Sequence, residues 1–81
     1  MLEVKVSSSL REFAGGAASI TVDAATIREL FGKLVERYPR LQRRLDEGIA
    51  VSINGEIFRD DWSQKIPDGA EVFLLPRIQG G

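Results

Sequence analysis

The carboxyl end is the part of this sequence best suited to chemistry. The chain ends in Gly80-Gly81, and because glycine has no side chain, these residues could carry a terminal carboxylate on a thin, freely rotating arm. Such an arm could enter a narrow site in another protein and be made reactive there. The alternative is an ordinary frayed terminus, since chain ends are often flexible and rich in glycine. Pro76 would stiffen the base of the arm, so we expect a folded domain over residues 1–76 and a flexible tail over residues 77–81.

The rest of the composition argues against catalysis within the chain itself. The 81 residues include no cysteine and no histidine, which excludes disulfides, thiolate metal sites and histidine as a general base. Asp60-Asp61 is a carboxylate pair that could bind a metal, but we interpret it as two solvated loop acids. Gly15-Gly16 lacks the spacing of a phosphate-binding loop. We therefore predict no metal site and no bound cofactor, and a standalone enzyme is the least favoured class.

Charge and hydropathy exclude two further classes of partner. Eleven basic and twelve acidic residues give a net charge of −1, whereas proteins that bind nucleic acid usually carry a basic excess to match the phosphate backbone. No apolar run approaches the length that spans a membrane, and residues 1–6 alternate instead of forming a signal peptide. We expect a cytoplasmic protein with no nucleic-acid or membrane partner.

Alternation of apolar and polar residues predicts the strands that would position the tail. Period-two patterns indicate strands with one buried face. Asn54-Gly55 predicts a tight hairpin, because both residues tolerate positive φ, and Pro67-Asp68-Gly69 predicts a turn before the last strand. The predicted strands cover residues 2–7, 19–23, 49–53, 56–59 and 70–75.

One main helix is predicted between the second and third strands. Thr26 and Glu29 have the spacing of a capping box, and Pro39 ends the segment because proline disfavours helical geometry in its predecessor. A short second helical turn is expected between Leu41 and Gly48. This order predicts an α+β, β-grasp domain: a mixed sheet of four to five strands, its first and last strands parallel neighbours, with the main helix on one face. The apolar stripe of the helix is Ile27, Leu30, Phe31, Leu34, Val35 and Tyr38.

The last strand breaks the pattern of the sheet. If Val72 and Leu74 face the helix, Phe73 and Leu75 must point to the opposite face, which is polar on the first three predicted strands. An apolar patch with polar surroundings commonly marks a protein contact, and this one would lie beside the tail. The alternative is that Phe73 is shielded by aromatic residues from neighbouring loops, Trp62 or Phe58.

Four short motifs in this order resemble the MoaD/ThiS family of ubiquitin-like sulfur carriers, which includes the small subunit of molybdopterin synthase. The resemblance covers essentially the whole chain. The motifs are Leu-Arg-Glu-Phe-Ala-Gly at 10–15, Ile-Asn-Gly-Glu at 53–56, Asp-Gly-Ala-Glu-Val at 68–72, and Leu-Pro followed by a terminal Gly-Gly at 75–81.

The resemblance implies a function for the tail. A MoeB/ThiF-like adenylyltransferase would use ATP and magnesium to convert the Gly81 carboxylate to an acyl-adenylate. A sulfur donor would then displace AMP, and the Gly81 thiocarboxylate would donate sulfur, with molybdopterin the foremost acceptor and a MoaE-like large subunit a second candidate partner. A ubiquitin-like modifier joined through Gly81 and a β-grasp binding module with an inert tail remain alternatives. The implied site residues are Gly80 and Gly81 in the partner's active site, with Phe73, Leu75, Arg77 and Ile78 as docking surface and arm.

Overall fold

The computed structural model describes residues 1–59 and 61–76. The described part contains five strands, two α-helices and one 3₁₀ turn. In chain order these are β1 (Leu2–Val6), the 3₁₀ turn (Arg11–Ala14), β2 (Ser19–Val22), α1 (Ile27–Arg37), α2 (Leu41–Glu47), β3 (Ile49–Ile53), β4 (Glu56–Phe58) and β5 (Glu71–Pro76).

The strands form one mixed sheet in the order β2-β1-β5-β3-β4. β1 and β5, the first and last strands, are parallel neighbours, whereas β1–β2, β3–β4 and β3–β5 are antiparallel. The ubiquitin-like β-grasp architecture predicted from the sequence is therefore confirmed, with five strands. Because β5 lies at the centre of the sheet, it is hydrogen-bonded on both sides, and the tail begins where this strand ends.

The hydrophobic core lies between α1 and the near face of the sheet. Alternation along β1 and β5 buries every second side chain, so Val4, Val72 and Leu74 have no exposed surface at all. The predicted apolar stripe of α1 faces the sheet. Its most deeply buried members are Ile27, Leu30, Phe31 and Leu34.

The capping box at the start of α1 forms with one change from the expected pattern. The Oγ1 atom of Thr26 accepts a hydrogen bond of 3.2 Å from the Glu29 amide, as predicted. The Glu29 carboxylate reaches back 3.1 Å to the amide of Ala25, one residue before the N-cap residue. The cap therefore also fixes the chain that enters the helix.

The loop before β5 covers the rest of the helix N-terminus. Its Gln64 and Trp62 carbonyls accept hydrogen bonds from the amides of Ile27 (3.0 Å) and Arg28 (2.9 Å). The Trp62 ring packs edge-on against Phe31, with ring centroids 5.2 Å apart, and this contact holds the loop against α1. Because these amides are already occupied, the N-terminus of α1 does not offer the open donors that bind phosphate in other proteins.

Two predicted turns are confirmed, whereas several element bounds differ from the prediction. Asn54 and Gly55 both have positive φ, 49° and 89°, which is the geometry of the predicted two-residue hairpin. The turn before β5 closes with a hydrogen bond from the Ala70 amide to the Pro67 carbonyl. The expected single turn after residue 41 is a seven-residue helix. The last strand continues through Pro76, which pairs in register with β3. Within residues 1–59 and 61–76, no helix has the length and apolar character needed to cross a membrane.

Candidate functional site

β5 divides its side chains between the two faces of the sheet. Val72 and Leu74 are fully buried under α1, whereas Phe73 and Leu75 are half-buried on the opposite side, which we call the open face. This orientation is the one predicted from the sequence. The strand that leads into the tail therefore carries two large apolar side chains on the face that no described helix covers.

The register shows which residues surround this pair. In the strand pairing Phe73 lies between Lys5 of β1 and Ser52 of β3, and Leu75 lies beside Ala50. Ala50 and Ser52 are nearly buried, with 6% and 9% exposure, because their side chains are short and lie between larger neighbours. The open face thus has an apolar centre, while Glu3, Thr21 and Ser19 keep its far side polar and exposed.

Loop aromatics do not shield Phe73, so the alternative stated above is wrong. The Trp62 ring packs against Phe31 of α1. Phe58 pairs with Val51, whose side chain faces the core, and packs against that core. What lies over the Phe73 ring is the Lys5 ammonium, 5.5 Å from the ring centroid. A cation on a ring face is a weak cover at an exposed site, about 0.5–1 kcal/mol, so a partner could displace it readily.

The sequence reasoning missed one member of the open face. Ile57 of β4 pairs with Ser52 and is 54% exposed. The two-residue turn at 54–55 fixes the register of this hairpin, so counting back from the turn would have placed Ile57 on the same face as Ser52. We define the apolar strip as Ala50, Ile57, Phe73 and Leu75.

A cavity of about 450 Å³ lies at the end of β5 where the tail begins, with Ser9, Arg44, Glu47 and Pro76 among its lining residues. The Arg44 guanidinium lies 4.4 Å from the Phe13 ring centroid and donates a 2.7 Å hydrogen bond to the Glu47 carboxylate. Its Nε has no hydrogen-bond partner among the described residues, consistent with its place over an aromatic ring. An arginine that contacts an aromatic ring and a carboxylate thus borders the end of β5.

The remaining site residues named from the sequence lie outside the described residues. These are Arg77, Ile78, Gly80 and Gly81, and also Asp60 of the carboxylate pair. Their roles remain predictions, as does the partner-binding role of Phe73 and Leu75. Among residues 1–59 and 61–76, no group of three or more carboxylates is placed to hold a metal ion.

The sheet order and the central position of β5 define the ubiquitin-like β-grasp class, and comparison with known proteins gives the family. The sequence profile of the ThiS family matches residues 4–81. The chain therefore belongs to the ThiS family, a group of ThiS/MoaD-like small sulfur carriers and ubiquitin-like modifiers. A search of curated proteins finds no match.

Several solved structures share the fold over almost their whole length. SAMP1 from Haloferax volcanii is 31% identical, with a TM-score of 0.76, over 99% of this chain and 98% of that one. CysO, in its complex with BexX from Amycolatopsis orientalis, is 25% identical with a TM-score of 0.80 over 100% of both chains. A putative molybdopterin converting factor subunit 1 from Pyrococcus furiosus is 20% identical, with a TM-score of 0.79 over 95% of this chain and 97% of that one. This last similarity supports the fold alone.

Proposed function

We propose that this protein is a sulfur carrier whose Gly81 carboxylate is adenylated by a partner enzyme and converted to a thiocarboxylate. The thiocarboxylate then donates sulfur in the biosynthesis of a cofactor, with molybdopterin the foremost candidate acceptor. The protein itself is a carrier and not an enzyme. ATP and magnesium are consumed in the active site of the partner, a MoeB/ThiF-like adenylyltransferase.

One structural observation carries the proposal: the apolar strip is centred on the strand that runs into the Gly-Gly tail. Phe73 and Leu75 lie on β5, and Pro76 is its last residue, so a partner seated on the strip would have the tail emerging at its edge. The apolar strip contrasts with the polar, exposed part of the open face on β2 and the start of β1. The family match, which extends to residue 81, supports a role for the tail.

The chemistry needs an activated carboxylate because a free one is a poor electrophile. Transfer of AMP from ATP to a Gly81 oxygen releases pyrophosphate and makes that oxygen part of a good leaving group. Sulfide from the sulfur donor then attacks the carbonyl carbon, the C–O bond to AMP breaks, and a thiocarboxylate remains. Gly80 and Gly81 suit this step because they add no side-chain bulk inside the partner's site, and Arg77 and Ile78 would contact the rim of that site.

The first experiment measures the intact mass of the protein after incubation with an activating enzyme, ATP, magnesium and a sulfur source. The mass should rise by the difference between one sulfur and one oxygen atom, and a variant lacking Gly81 should show no rise.

The docking face is tested with Phe73→Asp, which places a charge in the apolar strip and should abolish the shift. Thr21→Asp is the matched control, because it adds the same charge on the polar part of the open face and should leave the shift intact. Equal shifts in both variants would contradict a docking role for the strip.

The second candidate function is a ubiquitin-like protein modifier. The 31% identity to SAMP1, which belongs to the small archaeal modifier proteins, favours it specifically. The two functions share the activated Gly81 and differ in the nucleophile that takes it, sulfide in one and a lysine amine in the other. Higher-mass conjugates in cell extracts that disappear on deletion of Gly81 would support the modifier function.

The acceptor and the partner can be separated by reconstitution. The similarity to CysO, whose structure was solved as a complex with BexX, supports the idea that this protein acts together with a separate partner protein. Sulfur transfer to a molybdopterin precursor in the presence of a MoaE-like large subunit would support the molybdopterin assignment. If instead the protein binds its partner equally well after removal of Gly80-Gly81 and never gains sulfur, it is a binding module with an inert tail.

A further inference from the structure

Two carboxylates lie directly opposite each other at one end of the open face, and we call them the acidic pair. Glu3 of β1 pairs in register with Glu71 of β5, and both residues are exposed. Because adjacent strands are about 4.8 Å apart, the two carboxylates extend side by side. Like charges in such a position repel and lower the stability of a sheet. The stability of the isolated domain therefore does not explain the acidic pair.

No group in the described part of the chain neutralises the acidic pair. Within residues 1–59 and 61–76, neither carboxylate accepts a hydrogen bond, and the ion pairs of this part lie elsewhere. Lys5 is two residues beyond Glu3 on the same face, yet its ammonium lies over the Phe73 ring, 5.5 Å from the centroid. The only lysine on this face of β1 thus contacts the apolar strip and leaves the acidic pair without a counterion.

Protection of a sheet edge does not account for the acidic pair either. Charged side chains often occupy edge strands, where they discourage pairing with other chains. β1 and β5 are interior strands in the order β2-β1-β5-β3-β4. Glu71 is also held firmly, because its amide donates a 2.9 Å hydrogen bond to Oδ1 of Asn54 and its carbonyl accepts one of 2.8 Å from the Asn54 amide. The two carboxylates are therefore presented from fixed backbone.

The acidic pair and the apolar strip lie in line along β5. Glu71, Phe73 and Leu75 follow one another on the open face, so this face of the strand runs from an acidic end to an apolar end. Four residues at about 3.3 Å each separate Glu71 from Leu75 by about 13 Å. Ile57, which is 54% exposed, adds apolar surface in the row of Phe73. The open face thus has charge at one end and exposed apolar surface towards the other.

This asymmetry supplies what an apolar strip lacks. Hydrophobic contact is non-directional, so the strip could hold a partner without fixing its orientation. Charges across an interface fix the register of the two surfaces and disfavour wrong arrangements. A basic side chain opposite the acidic pair would relieve the repulsion between Glu3 and Glu71 and would select one orientation of the partner. Arginine suits this position best, because its planar guanidinium presents several donors that can bridge two carboxylates.

We propose that the acidic pair orients the protein that docks on the open face, and that the surface of this partner carries an arginine about 13 Å from the point that receives Leu75. The inference rests on the proposed function, because it takes the activating enzyme as the docked partner. Glu3 and Glu71 are positioning residues and touch no reacting atom. A nucleic acid is unsuited to this face, since the acidic pair would repel its phosphates.

The experiment uses the full chain and an activating enzyme of the MoeB/ThiF type. The variant combines Glu3→Gln with Glu71→Gln, which removes both charges and keeps the size of the side chains. Glu36→Gln is the matched control, because Glu36 is an exposed carboxylate on α1, away from the open face. Calorimetric titration without ATP gives the Kd of the complex. Pyrophosphate exchange at increasing concentrations of the chain gives KM and kcat separately.

The double variant should raise both Kd and KM about tenfold at low ionic strength, the size expected when a guanidinium loses two exposed partners. The kcat should stay the same, because the contact orients the partner without touching the reacting atoms. The increase should shrink in high salt, which screens exposed charges. Urea unfolding should show a double variant at least as stable as the original chain, since the repulsion is gone. Glu36→Gln should leave all four quantities unchanged.

The proposal is overturned by unchanged Kd and KM in the double variant, by an equal increase in Glu36→Gln, or by a loss of stability that accompanies weaker binding. A dimer of the protein alone that dissociates in the double variant, measured by sedimentation, would assign the acidic pair to a contact between copies and would also overturn it. Binding without pyrophosphate exchange would contradict the proposed activation of Gly81, and the comparison of Kd values would still decide the role of the pair. Absence of both binding and exchange would overturn both.

Discussion

Single alanine substitutions at two neighbouring residues of β5 should separate the fold from the docking surface. Leu74 is fully buried under α1, and Phe73 is half-buried on the open face. Truncation of a fully buried leucine costs about 3 kcal/mol, within a range of about 2–5. Phe73→Ala should cost less, about 1–2 kcal/mol, because the side chain is only partly buried and even full burial contributes about 1.5–3 kcal/mol. The weak contact with Lys5 adds about 0.5 kcal/mol to that cost.

These losses are measurable against the stability of a domain of this size. At about 0.1 kcal/mol per residue, 81 residues give an unfolding free energy of roughly 8 kcal/mol. Urea unfolding followed by Trp62 fluorescence is a suitable assay, since the single tryptophan packs against Phe31 of α1. With a slope of about 1.5 kcal/mol per molar urea, the midpoint should fall by about 2 M for Leu74→Ala and about 1 M for Phe73→Ala.

The result that refutes this reasoning is equal destabilisation by the two substitutions. It would mean that Phe73 is packed as tightly as Leu74 and that the open face is closed in the folded protein. The expected result is instead a Phe73→Ala protein that is well folded at 25 °C and yet gains the thiocarboxylate more slowly. Leu74→Ala should gain the thiocarboxylate at the normal rate and lose this ability only where urea or heat populates its unfolded form.

Three further predictions test local features of the fold. Thr26→Ala removes the acceptor for the Glu29 amide and should destabilise the protein by about 1 kcal/mol in urea unfolding, whereas Thr26→Ser should be close to neutral. Gly55→Ala places a Cβ at a φ of 89° and should cost about 1 kcal/mol by the same assay, and a neutral result would show that the turn relaxes. The hydrogen bond to the Met1 ammonium lowers the pKa of Asp68 below its ordinary 3.8 and raises that of the ammonium above 8.0. The pair therefore stabilises between these values, and its contribution is lost as pH falls through the Asp68 pKa or rises through the ammonium pKa. NMR titration of Asp68→Asn should return the α-amine pKa toward 8.0, and an unchanged value would contradict the pairing.

Much of this fold could be predicted because strong local signals agree with one another. The hairpin at Asn54-Gly55, the cap at Thr26 and the alternation along β1 each specify geometry within a few residues. The alternation of side chains along β5 then assigned Val72 and Leu74 to the core and Phe73 to the open face without knowledge of the strand order. These features are set by the backbone and by burial, so a single sequence is sufficient to find them.

Other features depend on contacts between segments distant in sequence. Lys5 and Phe73 are neighbours only because β1 and β5 pair in parallel with one register, so their contact could not be predicted from local pattern. Pro76 continues β5 because its partner Ile49 is in place, although proline usually marks a strand end. The second helix over Leu41–Glu47 was underestimated, because only two of its seven residues are apolar and its stripe is short.

If the tail is activated as proposed, the position of β5 in the sheet explains how one domain could be both stable and able to present that tail. An edge strand pairs on one side only and frays more easily, whereas β5 is hydrogen-bonded to β1 and to β3. A partner that drew the tail into its active site would pull on this strand, and the two ladders and the buried side chains of Val72 and Leu74 would resist the pull. The apolar strip lies on the same strand, so the docking of a partner and the entry of the tail into its active site would both depend on the rigidity of β5. Weakening the β1–β5 ladder should therefore impair adenylation more than an equally destabilising substitution in α2, which is not part of that ladder.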